Sequence, residues 1–288
     1  LRDSNDHIGF CRENWKDMGD LGWTGILLAE EYGGINIGFR GLGFILDAAG
    51  RNLASTPLIG TVACAGRLIQ AVGSDEQKQR FLPEIAKGEM IIALAHDEGR
   101  HHACSPISCE AKFQDATYFI NGRKSLCFDV APADYLLLLA KTSDQALSWF
   151  LLPINTPGIT VQKFRLIDGR PACHVNLQNV TVPESALLGH AGEAATSYDA
   201  MRDAAAACTA AEMLGSATAA FEMTLSFLKE RKQFGVAIGS FQALQHRMAA
   251  LYCELEVSRA AVERALAALD ENASDRALYC SLAKAKLS

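Results

Sequence analysis

An α+β protein built as helices, then a small β domain, then helices is what the hydrophobic patterning of this chain predicts. Two changes of period carry that prediction. The spacing is helical up to about Lys87, strand-like from about Met90 to Leu188, and helical again after about Gly192. The boundaries divide the chain into an N-terminal α-helical domain over 1–89, a middle β domain of barrel or sandwich type over 90–190, and a C-terminal helical bundle over 191–288 that reads as incomplete.

Taken in order, Leu42, Ile45, Leu46 and Ala49 recur at helical spacing in an early helix. Ser74 and Gln77 form a capping box for a helix that runs through Gln79 and Ile85 and stops near Gly88. In the middle segment Tyr118-Phe119-Ile120 leads into an Asn121-Gly122 turn signal. Tyr135 to Ala140 is an apolar β-rich run, and Ser148 to Leu152 is another before Pro153. Further on, the Ala-rich stretch from Ala204 to Ala211 allows close helix approach. Leu244, Met248, Leu251 and Leu255 line one face of the next long helix, for which Ser240 is the expected N-cap.

A length of 288 residues with 49% hydrophobic content supports a large core in two or three domains. The net charge of -6 argues against nucleic acid or an anionic membrane surface as the main partner. No signal peptide and no bilayer-length apolar run is found, so no membrane insertion is expected. Nine cysteines without a C-x-x-C pair read as reduced thiols in a cytoplasmic compartment.

The residues richest in chemical meaning are Glu230-Arg231-Lys232-Gln233-Phe234-Gly235, followed by Ile238-Gly239-Ser240-Phe241-Gln242. A guanidinium, an aromatic ring and a helix start converge there, which suits a pyrophosphate carrying flat groups. The plainer alternative is a cationic helix end followed by an ordinary turn. Elsewhere there is no G-x-G-x-x-G after a strand, no P-loop and no G-x-S-x-G elbow. A dinucleotide would therefore have to use the Arg231 turn and the β domain.

The R-x-x-F-G…F-Q pattern at Arg231, Phe234, Gly235, Phe241 and Gln242 resembles the flavin-binding turn of the acyl-CoA dehydrogenases. Other segments follow that family's order. Leu28-Ala29-Glu30-Glu31-Tyr32-Gly33-Gly34 is similar to its P-E-x-Y-G-G signature, with Ala29 in place of proline. Gly73-Ser74-Asp75-Glu76-Gln77-Lys78, then Phe81-Leu82-Pro83 and Gly88-Glu89, resembles G-S-x-E-Q-K…L-P…G-E. Ile120-Asn121-Gly122-Arg123-Lys124 with Ala133-Asp134, and Val180-Thr181-Val182-Pro183, complete the series. The resemblance implies a yellow FAD enzyme that removes a proton from the acyl α-carbon and a hydride from the β-carbon of an acyl-CoA thioester, giving the trans-2-enoyl-CoA. It also implies an electron-transfer flavoprotein or similar acceptor, and a homodimer or homotetramer in which the turn reaches a neighbour's cofactor.

Carried over by position, Arg231 would pair with the pyrophosphate, Phe234 would pack on the adenosine end and Gln242 would add a polar contact. Leu94 and His96, in Leu94-Ala95-His96-Asp97-Glu98-Gly99-Arg100-His101-His102-Ala103-Cys104, fall where relatives carry T-E-P-x-x-G-S-D over the flavin. The histidines and Cys104 admit a metal reading, but their spacing fits no standard ligand set and no metal is expected. Leu126 and Phe128 fall in the K-x-W-I-T-N segment, where a threonine hydroxyl bonds the flavin and Phe128 has none. Cys127 and Phe128 also read as plain inward residues of a strand. Arg202, Asp203 and His102 are substrate-binding candidates, with a solvated helix face as the alternative for the first two.

The carboxylate base of most relatives lies beyond Ser288, and counting back from Arg231 puts Ala205 at the family's other location. Glu212, two helical turns on, is the remaining candidate beside its reading as a buried or capping carboxylate. These departures leave two alternatives open. One is a catalytically degenerate partner subunit in a heterotetramer; the other is an acyl-CoA oxidase or flavin monooxygenase on the same fold.

Overall fold

The computed structural model describes residues 11–99, 106–143 and 146–288. They cluster into two compact units. Unit 1 holds the chain up to Asn36 together with Ser55–Arg202, and unit 2 holds Ile37–Ala54 together with Asp203–Ser288. The three segments marked by period are therefore divisions along the sequence, while in space the early helix at 39–51 clusters with the C-terminal helices.

Unit 1 begins with α1 (Arg12–Asp20), whose Trp15 is buried. The next elements in the unit are a wide helical segment at Leu58–Gly66, α3 (Arg67–Val72) and α4 (Asp75–Ala86). The capping box at α4 forms as expected: Gln77 N donates to Ser74 Oγ and Ser74 N to Gln77 Oε1. The same Gln77 side chain donates to the carbonyls of Ser185 and Leu187, tying this helix start to the β domain.

The β domain is an eight-stranded mixed sheet: β1 (Ile92–Ala95), β2 (Glu110–Gln114), β3 (Thr117–Phe128), β4 (Tyr135–Lys141), β5 (Leu147–Pro153), β6 (Ile159–Arg165), β7 (Pro171–Pro183) and β8 (Leu187–Leu188). Their order is β6-β7-β3-β2-β4-β5-β8, with β1 parallel to β4. β2 meets β4 through a single pair, Glu110 with Lys141, so the sheet can bend there. The rings of Tyr118 on β3 and Phe150 on β5 meet edge to face at 4.9 Å across the resulting core.

The Asn121-Gly122 turn signal is corrected by the structure. Both residues lie inside the 12-residue strand β3, at a register shift against β7. A Cβ on Gly122 would stand 2.7 Å from Cys109, so that glycine serves close strand approach, and Asn121 Oδ1 accepts from Asn179 N. The β2–β3 hairpin instead turns at Asp115 and Ala116, both at positive φ.

A 37-residue helix, α5 (Ala194–Glu230), begins in unit 1 and continues into unit 2. Unit 2 contains α2 (Phe39–Arg51), the rest of α5, the small strands β9 (Lys232–Gln233) and β10 (Val236–Ala237), α6 (Gln242–Asp270) and α7 (Arg276–Leu287). α2 and α5 cross with backbones nearly touching. A Cβ on Gly50 would lie 1.9 Å from the Glu212 carbonyl oxygen, and one on Gly215 would lie 2.0 Å from that of Asp47. The Asp270 carboxylate accepts from the Phe39 and Arg40 amides at the start of α2, a favourable charge for a helix N-terminus. Ser240 is not the N-cap of α6. Its hydroxyl donates to Ala237 O within a short 3₁₀ turn, and Phe241 takes the cap position. On α6, Leu244, Met248 and Leu255 are half-buried and Leu251 is exposed, while the fully buried apolar residues come later, at Val262, Ala265, Leu266 and Ala268.

Candidate functional site

Two groups of residues have functional geometry, one in each unit. In unit 1 the group centres on a buried ion pair. Lys124, on β3, is fully buried, and its ammonium donates to Glu98 Oε1 at 2.7 Å and to His96 O at 3.1 Å. Glu98 also accepts from Cys109 N at 3.0 Å, from Ser108 N at 2.6 Å and from the Ser108 hydroxyl. Burial pushes the Glu98 carboxyl up, but the Lys124 charge and these donors outweigh it and hold the group below its ordinary range. Ser125 closes the clasp by donating N–H to Asp97 O and Oγ–H to Glu98 O.

This clasp fixes residues 96–98 beside 124–125, and the backbone that follows is strained. β3 shifts register between Lys124 and Cys127, and Leu126 and Asp129 both adopt positive φ. Phe128 is 45% exposed, while Leu126 and Leu94 are half-buried. The thiol of Cys127 between them is buried, which pushes its pKa to about 12 and makes it inert.

His96 sits at the C-terminal end of β1. Its Nδ1 is 3.3 Å from Asp97 Oδ1 and 3.5 Å from the Tyr198 hydroxyl on the first turn of α5. The Tyr198 ring meets Trp149 edge-on at 5.9 Å, and the Arg202 guanidinium lies 5.6 Å from its centroid. Trp149 Nε1 donates to Ser197 Oγ, so the helix start is held to β5. Arg202 is exposed and 3.8 Å from Asp199. His102 lies outside the described residues, as do Arg100, His101, Ala103 and Cys104.

In unit 2 the Arg231 segment is a two-residue hairpin. β9 pairs with β10 around Phe234 and Gly235, at φ 53° and 83°, the pattern of a type I′ turn. A phenylalanine here is an outlier, since the left-handed region disfavours bulky side chains. Phe234 is nonetheless 92% exposed, and its ring meets that of Phe241 edge-on at 6.2 Å. Arg231 and Gln242 are also exposed. Gly239 lets the hairpin lie on the helix before it, because a Cβ there would be 2.9 Å from the Leu228 carbonyl oxygen. Asp203 is engaged by Arg276 at 3.6 Å. Glu212 is half-buried at the α2–α5 crossing, where its carbonyl oxygen faces Gly50 and accepts from Ser216 Oγ.

The structure thus joins His96, Lys124 and the Leu126–Phe128 stretch in unit 1, and Arg231, Phe234 and Gln242 in unit 2. Two participants were missed from sequence: the Glu98 anchor and Tyr198. The signal for Glu98 was Lys124, a lysine in an otherwise inward-reading strand that needs a buried carboxylate. Nothing in the spacing pointed to Tyr198, which lies 102 residues from His96.

A β domain with a strained, partly apolar ledge and a helical unit with an exposed cationic and aromatic hairpin make this an α+β fold. The description of the acyl-CoA dehydrogenase N-terminal domain matches residues 2–89, and that of the C-terminal domain matches 194–288. The 2-methylacyl-CoA dehydrogenase of Solanum tuberosum mitochondria is 30% identical over 259 residues, 86% of this chain and 63% of that protein. Butyryl-CoA dehydrogenase from Megasphaera elsdenii has 25% identity and a TM-score of 0.91, over 99% of this chain and 78% of that one. A chain from a structure described as the electron transferring flavoprotein of Acidaminococcus fermentans matches with a TM-score of 0.91 at 26% identity, over 98% and 76%. The chain belongs to the acyl-CoA dehydrogenase family, and it spans about two thirds of the length of the curated relatives it matches.

FAD is the cofactor of this family, and the residue types here fit it. The exposed Arg231 guanidinium suits a pyrophosphate, and the exposed Phe234 and Phe128 rings suit flat aromatic groups. No hydroxyl is available at Phe128, so hydrogen bonds to a flavin on that side would come from backbone groups. Among the described residues no helix is long and apolar enough to cross a membrane.

Proposed function

We propose that this chain is the FAD-binding body of an acyl-CoA dehydrogenase that converts an acyl-CoA thioester to its trans-2-enoyl form. The observation that carries this reading is the family match at both ends of the chain, combined with likeness to butyryl-CoA dehydrogenase over 99% of its length. Bound FAD would supply the two-electron acceptor for the hydride from the β-carbon. The protein's part is to hold the thioester, exclude water and remove the α-proton.

In this reading the Leu94–Glu98 and Leu126–Phe128 segments line the flavin and acyl site, and Arg231, Phe234 and Gln242 reach the dinucleotide of a neighbouring copy. Arg202 and Asp203 face the CoA portion, with Asp203 steadied by Arg276. Electrons leave to a separate acceptor protein of the electron-transfer flavoprotein type. Two or more copies assemble, in a reducing compartment such as the cytoplasm.

The test is the visible spectrum of the purified protein with added FAD, followed by anaerobic titration with butyryl-CoA and isovaleryl-CoA. A flavin spectrum bleached by one of them supports the reading. A protein that stays colourless in excess FAD and gains flavin only with a second subunit would replace it with the partner-subunit role, and rapid oxygen consumption after reduction would replace it with an oxidase.

A further inference from the structure

We propose that Cys127 and Cys173 are a redox pair, a modification site at the strained end of β3 where a small disulfide such as oxidised glutathione closes a cross-strand bond. The inference goes beyond the dehydrogenase reading and does not depend on it. Its geometry comes from the sheet register. Cys127 on β3 lies directly opposite Cys173 on β7, and Cys173 in turn faces Lys163 on β6. Both cysteines are thiols in this structure, 4% and 1% exposed. Opposite residues of antiparallel strands have Cα atoms about 4.5–5.5 Å apart, within the span of about 4.4–6.8 Å that a disulfide bridges.

The bulge of β3 makes this pairing. Lys124 pairs with Val175, and an unbroken register from there would set Leu126 against Cys173 and Cys127 against Ala172. The shift between Lys124 and Cys127 moves the chain on by one residue, so cysteine meets cysteine and both side chains are buried. The two sulfurs also sense each other. Burial is the main cause that raises the Cys127 thiol, the Lys124 charge opposes it, and the Cys173 sulfur adds to it.

While the strands stay closed both thiols are unreactive, because burial disfavours the thiolate that attacks a disulfide. The same place is poised to open. Leu126 and Asp129, on either side of Cys127, hold positive φ. β6 is the terminal strand of the sheet, and none of its residues is buried. Local opening here requires no global unfolding. Cys173 is the thiol to react first: burial raises it, but the Lys163 charge and the Ala131 amide both favour its thiolate.

The chemistry is two thiol–disulfide exchanges. Cys173 loses its proton to water, and its thiolate attacks one sulfur of oxidised glutathione, breaking that S–S bond and releasing one glutathione thiolate. Cys127 then loses its proton, attacks the Cys173 sulfur of the mixed disulfide and expels the second glutathione thiolate. The two released thiolates take up the two protons. Two protein thiols are oxidised to one disulfide, and one glutathione disulfide is reduced to two thiols. The product ties β3 to β7 immediately before Phe128, which itself pairs with Ala172, so oxidation fixes the backbone beneath the exposed ring.

The test is incubation of the reduced full chain with oxidised glutathione across a urea series below the unfolding transition, followed by peptide mapping by mass spectrometry. The expected product is lighter than the reduced chain by about 2 Da, the two hydrogens lost, with the peptides of Cys127 and Cys173 joined. Its yield at a fixed time rises with urea before any global unfolding, and Cys109→Ser forms it as readily. Cys127→Ser holds one glutathione on Cys173 instead; should that variant not fold, the mapping of the wild-type chain decides alone. After oxidation, amide hydrogen exchange over residues 124–129 slows by about tenfold or more and returns on reduction with dithiothreitol. No linked product, a bond that maps to other cysteines, glutathione left on both residues, or reaction only within the unfolding transition would overturn the proposal, whether or not the protein binds FAD.

Discussion

The Glu98–Lys124 clasp of unit 1 and the Phe234 hairpin of unit 2 use polar and aromatic residues in opposite ways. In the clasp every strong donor and acceptor is spent on protein: Lys124 and Glu98 are buried and bonded to each other, to backbone and to Ser108. In the hairpin Arg231 is exposed, and Phe234 endures a strained conformation while almost its whole surface faces outward. The first arrangement holds a backbone in place. The second gives up stability for exposed surface, and we propose that this surface meets a ligand.

Breaking the clasp should have the largest effect. Lys124→Met leaves a buried carboxylate unpaired, and we expect a loss of about 3–5 kcal/mol in urea unfolding. Glu98→Gln combined with Lys124→Met should recover part of that loss, because the unpaired charge is then gone. A single Lys124→Met variant as stable as wild type would show that the pair carries no structural load.

Arg231→Ala should do the reverse. Stability is expected to stay within about 0.5 kcal/mol of wild type, as for an exposed residue. The FAD dissociation constant, measured by fluorescence titration, should rise by roughly 10- to 150-fold, the worth of one charge-assisted hydrogen bond of about 1.5–3 kcal/mol. Equal FAD affinity in the variant would remove the hairpin from the cofactor site.

Acid sharpens the contrast, because only the clasp contains a carboxyl held below its ordinary range by burial-protected partners. Its folded pKa lies below the unfolded one, so the unfolded chain binds the proton first. The contribution is complete above the unfolded carboxylate value of about 4.3 and is lost as pH falls from there through the lower folded value. Wild-type stability should decline across that window by up to about 1.4 kcal/mol per pH unit from this group, and Glu98→Gln should show a flatter acid limb.

The sequence made the local features plain and the distant ones invisible, for physical reasons. The Ser74–Gln77 box was legible because both partners lie within one helical turn. The strands β4 and β5 were legible because their apolar runs are continuous. Asn121-Gly122 misled because a favoured hairpin dipeptide also serves a bulge where Gly122 must clear Cys109. The true turn, at Asp115 and Ala116, carries no glycine to announce it. At the site, Arg231 and Phe234 were found through a short contiguous motif. The Glu98–Lys124 pair spans 26 residues and the His96–Tyr198 contact 102, and only the folded sheet brings them together.

The smallest effect tests the comparison most directly, because the hairpin's strain and its ligand surface reside in one side chain. Phe234 occupies the first position of a turn in which both residues need positive φ, and only Gly235 meets that need without cost. Replacing Phe234 with glycine removes the steric penalty of a bulky residue in the left-handed region, at the expense of extra freedom in the unfolded chain. The ring itself is 92% exposed and meets Phe241 edge-on, so little packing is lost with it. We therefore expect Phe234→Gly to unfold at equal or slightly higher urea concentration, with a gain of up to about 1 kcal/mol, while it binds FAD more weakly than wild type. Phe234→Asn, whose side chain tolerates the same region, should behave alike. A clear loss of stability in both variants would mean the ring is held by the protein itself, and the hairpin would then belong with the clasp as structure.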